Sequence, residues 1–215
     1  MEWGIPTAIG GLLLAWVGVG LATGRFGVEN AKYTVVRRLG PGGSLELRRY
    51  EPHTEAVTII HESELQPASS RGFRFLAGYI FGGNQRSESI AMTTPVCLTR
   101  PLPGAQQQQH KVSFVMPSKH SYSSLPQPND PRVELVQHDA PELHIARRMS
   151  MFSLERRFDE ARINREFARL EEEAMALGIT WDPANVSRTV KAYDPPWTPF
   201  FVARTEVSMH PVQER

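Results

Sequence analysis

The sequence predicts an α+β fold: a duplicated ββαββ unit whose strands form a distorted, mostly antiparallel β-barrel or curved sheet, with two helices packed on it. Three observations predict it. Segments of period-2 alternation outnumber the two segments with helical spacing. The order of strands and helix in the first half is repeated in the second. The connections within each half are short, which favours antiparallel pairing and an α+β rather than an alternating α/β arrangement.

Residues 1–24 differ from the rest of the chain. "IPTAIGGLLLAWVGVGLAT" (Ile5 to Thr23) carries no charge over 19 residues, about the minimum for a membrane-spanning helix. Pro6, Gly10, Gly11, Gly18 and Gly20 dilute its Leu, Ile and Val content. We read residues 5–23 as a single-pass N-terminal anchor that makes the protein membrane-associated. A cleaved signal, giving a secreted or exported protein, is the alternative. The acidic "MEWG" start argues against it, and Gly20-Leu21-Ala22 supplies a small-x-small cleavage site for it. A buried helix is the third reading. Arg25, Lys32, Arg37 and Arg38 follow the segment. With an anchor, the positive-inside rule leaves the main domain on the cytoplasmic side, and export puts it on the other.

Residues 25–43 read as a linker and a first extended segment. The domain spans 44–209, as repeats 44–117 and 133–209, with 210–215 as a tail. In the first repeat "SLELRRYE" (Ser44–Glu51) alternates as a half-buried strand, a Pro52 turn follows, and "TEAVTIIH" (Thr54–His61) is the second strand. Phe73, Leu76, Ala77 and Ile80 then fall on one face of a helix, which "GGN" (Gly82–Asn84) ends. Ser89–Leu98 and Lys111–Pro117 complete the unit. In the second repeat Val133–His138 and Leu143–Ser150 are strands around a Pro141 turn. A longer helix follows, with Ser153 as its N-cap, a stripe of Leu154, Phe158, Ala161, Leu170, Ala174 and Leu177, and Gly178 as its stop. Asn185–Tyr193 and Phe201–Met209 close the unit. "PSKHSYSSLPQPNDPR" joins the repeats as an irregular surface crossing, and "GAQQQQHK" (Gly104–Lys111) is a polar tip.

Composition excludes several functions. Lys and Arg number 24 against 23 Asp and Glu, so no global field favours nucleic acid. Cys97 is the only cysteine, which rules out an internal disulfide, and no zinc-type Cys/His spacing is present. No Ser/His/Asp arrangement, phosphate loop or metal cluster is legible. "ESIAMTTPVCL" (Glu88–Leu98) is a strand-like run broken by Pro95, which removes a ladder donor and predicts a bend. A hydroxyl of Thr93 or Thr94 is then free to satisfy a backbone group left over. Cys97 alternates away from Val96 and Leu98, as a buried thiol or a soft ligand.

Read in order, "RRYEPHTEAVT", "GFRFLAGYIFGGN", "IAMTTPV", "VSFVMP", "LPQPNDPRVEL" and "KAYDPPWTPFFVARTEV" resemble the SOUL heme-binding family. The resemblance spans about residues 44–208, and its most specific pieces are "YIFGGN" followed by "IAMTTPV" and "YDPPWTP" followed by "TEV". It implies a duplicated α+β unit forming a distorted β-barrel, non-covalent binding of heme or another tetrapyrrole, and no enzymatic activity. It places the ligand beside the first helix and the loop after the "YDPP" strand. Carried across, that points to Phe73, Leu76, Ala77 and Ile80 on the helix and to Trp197, Pro199 and Phe200 on the loop. Phe73 and Trp197 are the rings to stack on a macrocycle, while Leu76 and Ile80 also have the spacing of core residues. Arg71 and Arg74 flank Phe73 and suit propionates.

Some relatives carry a histidine, proposed as an iron ligand, where this chain has Arg49. A guanidinium stays protonated and does not ligate iron. His53, expected in a turn, and His61, at the end of the next strand, read as exposed histidines. The expected function is therefore a membrane-tethered carrier or buffer of a tetrapyrrole. The alternative is a small-molecule hydrolase or effector-sensing domain using the same barrel pocket. For that reading the residues to weigh are Glu206, Tyr79 and Tyr193, although Glu206 shares a strand face with Arg204 and also reads as structural.

Overall fold

The computed structural model describes residues 28–101, 109–149, 158–194, 198 and 203–214. The expected membrane segment, residues 5–23, lies outside them. No helix among the described residues is long and apolar enough to cross a membrane.

Among the described residues, thirteen strands and two α-helices follow one another. The first half contains β1 (Glu29–Asn30), β2 (Tyr33–Leu39), β3 (Leu45–Tyr50), β4 (His53–His61), α1 (Leu65–Ile80), β5 (Thr93–Thr94), β6 (Val96–Thr99) and β7 (Gln109–Val115). The second contains β8 (Glu134–His138), β9 (Glu142–Arg148), α2 (Glu160–Ala176), β10 (Ile179–Thr180), β11 (Ser187–Ala192), β12 (Thr205–His210) and β13 (Gln213–Glu214). Nine of the strands form one antiparallel sheet in the order β2-β3-β9-β12-β11-β6-β7-β4-β8. Beyond β2 that order is symmetric: exchanging β3, β4, β6 and β7 for β8, β9, β11 and β12 reads the sheet from its other edge. This is the arrangement a duplicated ββαββ unit produces.

The connections force the sheet to curl. Glu51 and Pro52 alone join β3 to β4, yet six strand spacings separate those strands in the sheet. In a flat sheet that gap would be roughly 29 Å, whereas a two-residue connection spans about 10 Å. The turn between β8 and β9 makes the same demand from the other end. The sheet closes into a half-barrel, with the helices on one face.

The core fills the space between the helices and that face. Leu45, Leu47, Ala56, Ile60, Leu98, Val112, Phe114, Ile145, Val190, Val207 and Met209 alternate toward Leu65, Leu76, Tyr79 and Ile80 of α1 and Ile163, Phe167, Leu170 and Ala174 of α2. Arg147 on β9 also points to α2, where it meets Glu173 at 2.6 Å and Glu166 at 3.3 Å. Gly82 and Gly178, at φ 104° and 80°, follow the two helices in the left-handed region that stops a helix without a Cβ penalty.

The structure changes four details. α2 starts at Glu160, and its cap is Asp159, whose carboxylate accepts from the Arg162 N–H at 2.8 Å. Phe158 lies in the preceding turn, while Ser153 and Leu154 lie outside the described residues. Glu29 and Asn30, expected in the linker, pair in parallel with Thr93 and Thr94. Gln213 and Glu214, expected in the tail, pair with β10. The run around Pro95 divides into β5 and β6. There the Thr93 hydroxyl donates to the Val115 carbonyl, and the Thr94 hydroxyl donates to Asn30 Oδ1 at 2.8 Å.

Candidate functional site

Two places combine exposed space with functional side chains: the helix-free face of the half-barrel, and a groove on the outer side of α1.

Strand alternation sends Arg48 and Tyr50, Glu55, Cys97, Lys111 and Ser113, His144, Lys191, Glu206 and His210 to the helix-free face. Curling of the sheet buries most of them. Arg48 and Lys191 are 3% exposed and Glu206 is 1% exposed. Charges at such depth need partners. Glu206 has three: Arg48 Nη1 donates to it at 2.5 Å, Arg204 Nη2 at 2.7 Å and the Tyr193 hydroxyl at 3.0 Å. Burial alone would raise this carboxyl, but the two guanidiniums overcome burial and hold it down to about 2. Tyr79, weighed with Glu206 from the sequence, is elsewhere, its hydroxyl donating to the Pro126 carbonyl at 2.9 Å.

A second network crosses the same face. Glu55 accepts from Lys111 Nζ and from Ser113 Oγ, each at 3.0 Å. His138 Nε2 lies 3.4 Å from Glu55, and its Nδ1 meets Glu142 at 2.8 Å. Glu142 meets His144 Nε2 at 3.1 Å, and His144 Nδ1 lies 3.4 Å from Lys191 Nζ. Hydrogen bonds to Glu142 and Glu55 raise His138 to about 9. Burial opposes ionisation of Glu55, yet His138 and Lys111 hold it well below the usual carboxylate range. Burial also depresses His144 strongly and takes His210 down to about 4. It pushes the Cys97 thiol up to about 11, so Cys97 is a buried thiol rather than a thiolate ligand. His53 is not in a turn: it opens β4 and stacks on His138 with ring centroids 4.7 Å apart. A cleft of about 360 Å³ opens over Tyr50, His53 and His138, rimmed by residues 29–32, 117–118 and 120–122.

The groove on α1 has a volume of about 590 Å³ and is lined by Arg74, Phe75, Gly78, Tyr79, Gly83, Asn129, Asp130, Pro131 and Arg132. Arg132 lies 3.8 Å from the Phe75 ring centroid and pairs with Asp130 at 2.7 Å. Arg74 is exposed and has no partner among the described residues. A Cβ at Gly78 would meet nothing within 4 Å, so packing does not require glycine there and the groove floor is bare.

The residues expected to bind a tetrapyrrole divide between core and surface. Leu76 and Ile80 are in the core. Phe73 is half-buried and packs edge-on against Phe114, with centroids 5.5 Å apart. Ala77 is half-buried, and the exposed Arg71 pairs with Glu62 at 2.7 Å. Arg74 alone of the six helix residues lines the groove. Trp197, Pro199 and Phe200 lie outside the described residues. The groove offers a flat apolar ligand a bare floor and, for an acidic side arm, one guanidinium unpaired among the described residues, Arg74, whereas Arg132 is engaged by Asp130 and the Phe75 ring. Among the described residues that line it there is no histidine, cysteine or methionine to ligate iron.

Solved structures resemble this chain at low identity, and two of those that follow share its fold. The C-terminal domain of EcmrR is 8% identical with a TM-score of 0.53, covering 80% of this chain and 98% of that one. An uncharacterized conserved protein from Listeria innocua is 9% identical with a TM-score of 0.50, covering 90% and 98%. A hydrolase from Listeria innocua is 10% identical with a TM-score of 0.47, covering 91% and 98%. No curated protein matches the chain. Residues 28–210, which run from the strand before β2 to the end of β12, match SOUL heme-binding protein, and the chain belongs to that family.

Proposed function

We propose that this chain binds heme or a related tetrapyrrole non-covalently, as a carrier or buffer rather than an enzyme, with the macrocycle lying against α1. The family match over residues 28–210 carries the reading, and the groove over Gly78 supports the location. The ligand plane rests on the bare floor beside Phe75, and Arg74 pairs with a propionate. The family resemblance adds Trp197, Pro199 and Phe200 as further ligand-binding residues. Residues 5–23 tether the domain, residues 44–209, to a membrane; their uncharged run supports this. Heme, when bound, supplies the iron; the chain's own residues hold the ring and its carboxylates.

Apolar contact and carboxylate pairing then provide the affinity. They support a dissociation constant on the order of micromolar, about 8 kcal/mol. Titration with hemin and with iron-free protoporphyrin tests this. Both should bind about one to one with similar affinity, and Arg74→Glu should weaken both. Tight heme binding without protoporphyrin binding would show that iron is ligated and that the groove is not the site. If neither binds, the second reading, a small-molecule site inside the half-barrel, takes over; the cleft over His53 and His138 favours it.

A further inference from the structure

We propose that His53, Glu55 and His138 form a site for one divalent first-row transition ion on the helix-free face, in the small cavity behind the cleft and apart from the α1 groove.

His53 and His138 lie directly opposite each other across the β4–β8 pair. Glu55 follows His53 by two residues, so all three side chains leave the sheet on one face. One donor atom from each lies within 4.8 Å of the other two. Two imidazole nitrogens and one carboxylate oxygen on one side of an ion suit zinc, cobalt(II) or iron(II) and leave the remaining positions open. His53 and His138 also line the cleft, while Glu55 lies behind them.

Each donor is also held from behind. His53 Nδ1 meets the Glu51 carbonyl at 2.8 Å, and His138 Nδ1 meets Glu142 Oε1 at 2.8 Å. Ser113 Oγ donates to Glu55 Oε1 at 3.0 Å. Backbone carbonyls and carboxylates are the groups that fix the tautomer of a metal-binding histidine. With Nδ1 engaged, each ring has Nε2 to offer. His138 Nε2 is buried, makes no hydrogen bond of good geometry and has only a long contact of 3.4 Å with Glu55. An ion held between this nitrogen and Glu55 takes the place of that contact. The neighbouring group of Glu142, His144 and His210 has no such vacancy at His144, whose ring nitrogens face Glu142 and Lys191. Lys111 also faces the proposed site, but its side chain is 33% exposed and can turn to solvent as the dication takes over its contact with Glu55.

The test is a titration of the full chain with Co²⁺ in chelator-free buffer, read by visible d–d absorption and reversed by Zn²⁺. One Co²⁺ per chain should bind. His53→Ala should weaken binding by roughly 100-fold, and Glu142→Gln, which loosens His138, by roughly 10-fold. His61→Ala, at the exposed far end of β4, should change nothing. Substitutions in a buried network can unfold the chain, so the wild-type protein is read directly as well. Substoichiometric Co²⁺ should broaden the ring-proton NMR signals of His53 and His138 before those of His61 and His120. Absence of binding at about 1 mM Co²⁺, binding that survives His53→Ala, or broadening confined to His144 and His210 would overturn the proposal.

Discussion

One methyl group placed at two glycines of α1 should have opposite effects. Gly72 and Gly78 both lie inside the helix. Helix propensity alone favours alanine by about 0.5–1 kcal/mol at each. At Gly78 an added Cβ meets nothing within 4 Å, so Gly78→Ala should realise that gain. At Gly72 the Cβ runs into the Val112 side chain, 2.6 Å from its Cβ. Overpacking of that kind costs about 1–3 kcal/mol, which outweighs the propensity term and leaves Gly72→Ala about 1–2 kcal/mol less stable. A chain of this size moves roughly 2–4 °C in Tm per kcal/mol. Thermal unfolding should therefore show Gly78→Ala about 1–4 °C above the wild type and Gly72→Ala about 2–8 °C below it. Gly78→Leu carries the test to function. Its side chain stands up from the groove floor, so heme and protoporphyrin should bind at least tenfold more weakly, about 1.4 kcal/mol, while the protein stays folded. Undiminished binding by Gly78→Leu would show that the macrocycle does not lie on this floor. Equal Tm values for the two alanine variants would show that the contact between α1 and β7 yields more readily than its geometry implies.

Two further outcomes follow from the buried helix-free face. Glu206→Gln leaves Arg48 buried without its closest carboxylate and should cost about 3–5 kcal/mol in urea unfolding. Because the folded Glu206 carboxyl sits near 2, below the ordinary glutamate value of 4.5, its contribution is complete above pH 4.5 and is lost as pH falls toward 2. The variant's stability should accordingly fall less steeply than the wild type's across that window, and parallel curves would refute the assignment. Cys97, buried and with its thiol pushed up to about 11, should resist alkylation by iodoacetamide at pH 8 in the folded protein and react on unfolding in urea. Mass spectrometry reads both, and rapid native labelling would show that Cys97 is accessible.

The alternation of "SLELRRYE" and "TEAVTIIH", the stripe Leu76–Ile80 and the short link at Glu51–Pro52 were legible because they are local. Periodicity records which face of each element is buried, but the two-residue link shows only that the end of β3 and the start of β4 lie close: the two strands do not pair, and six strand spacings separate them in the sheet. The same stripe explains why Phe73 sits on the core: an i, i+3, i+4, i+7 face cannot be both the buried face and an open ligand surface. Phe75 and Gly78, off that stripe, were the available sign of the groove. The networks on the helix-free face were not legible. Arg48 and Glu206 are 158 residues apart, and His53 meets His138 only through the β4–β8 register. Register is decided by how nine strands curl and pair as one sheet. A slip of one residue would send every one of those charges to the helices and the apolar core to the cleft, so the tertiary structure alone decides which charges meet.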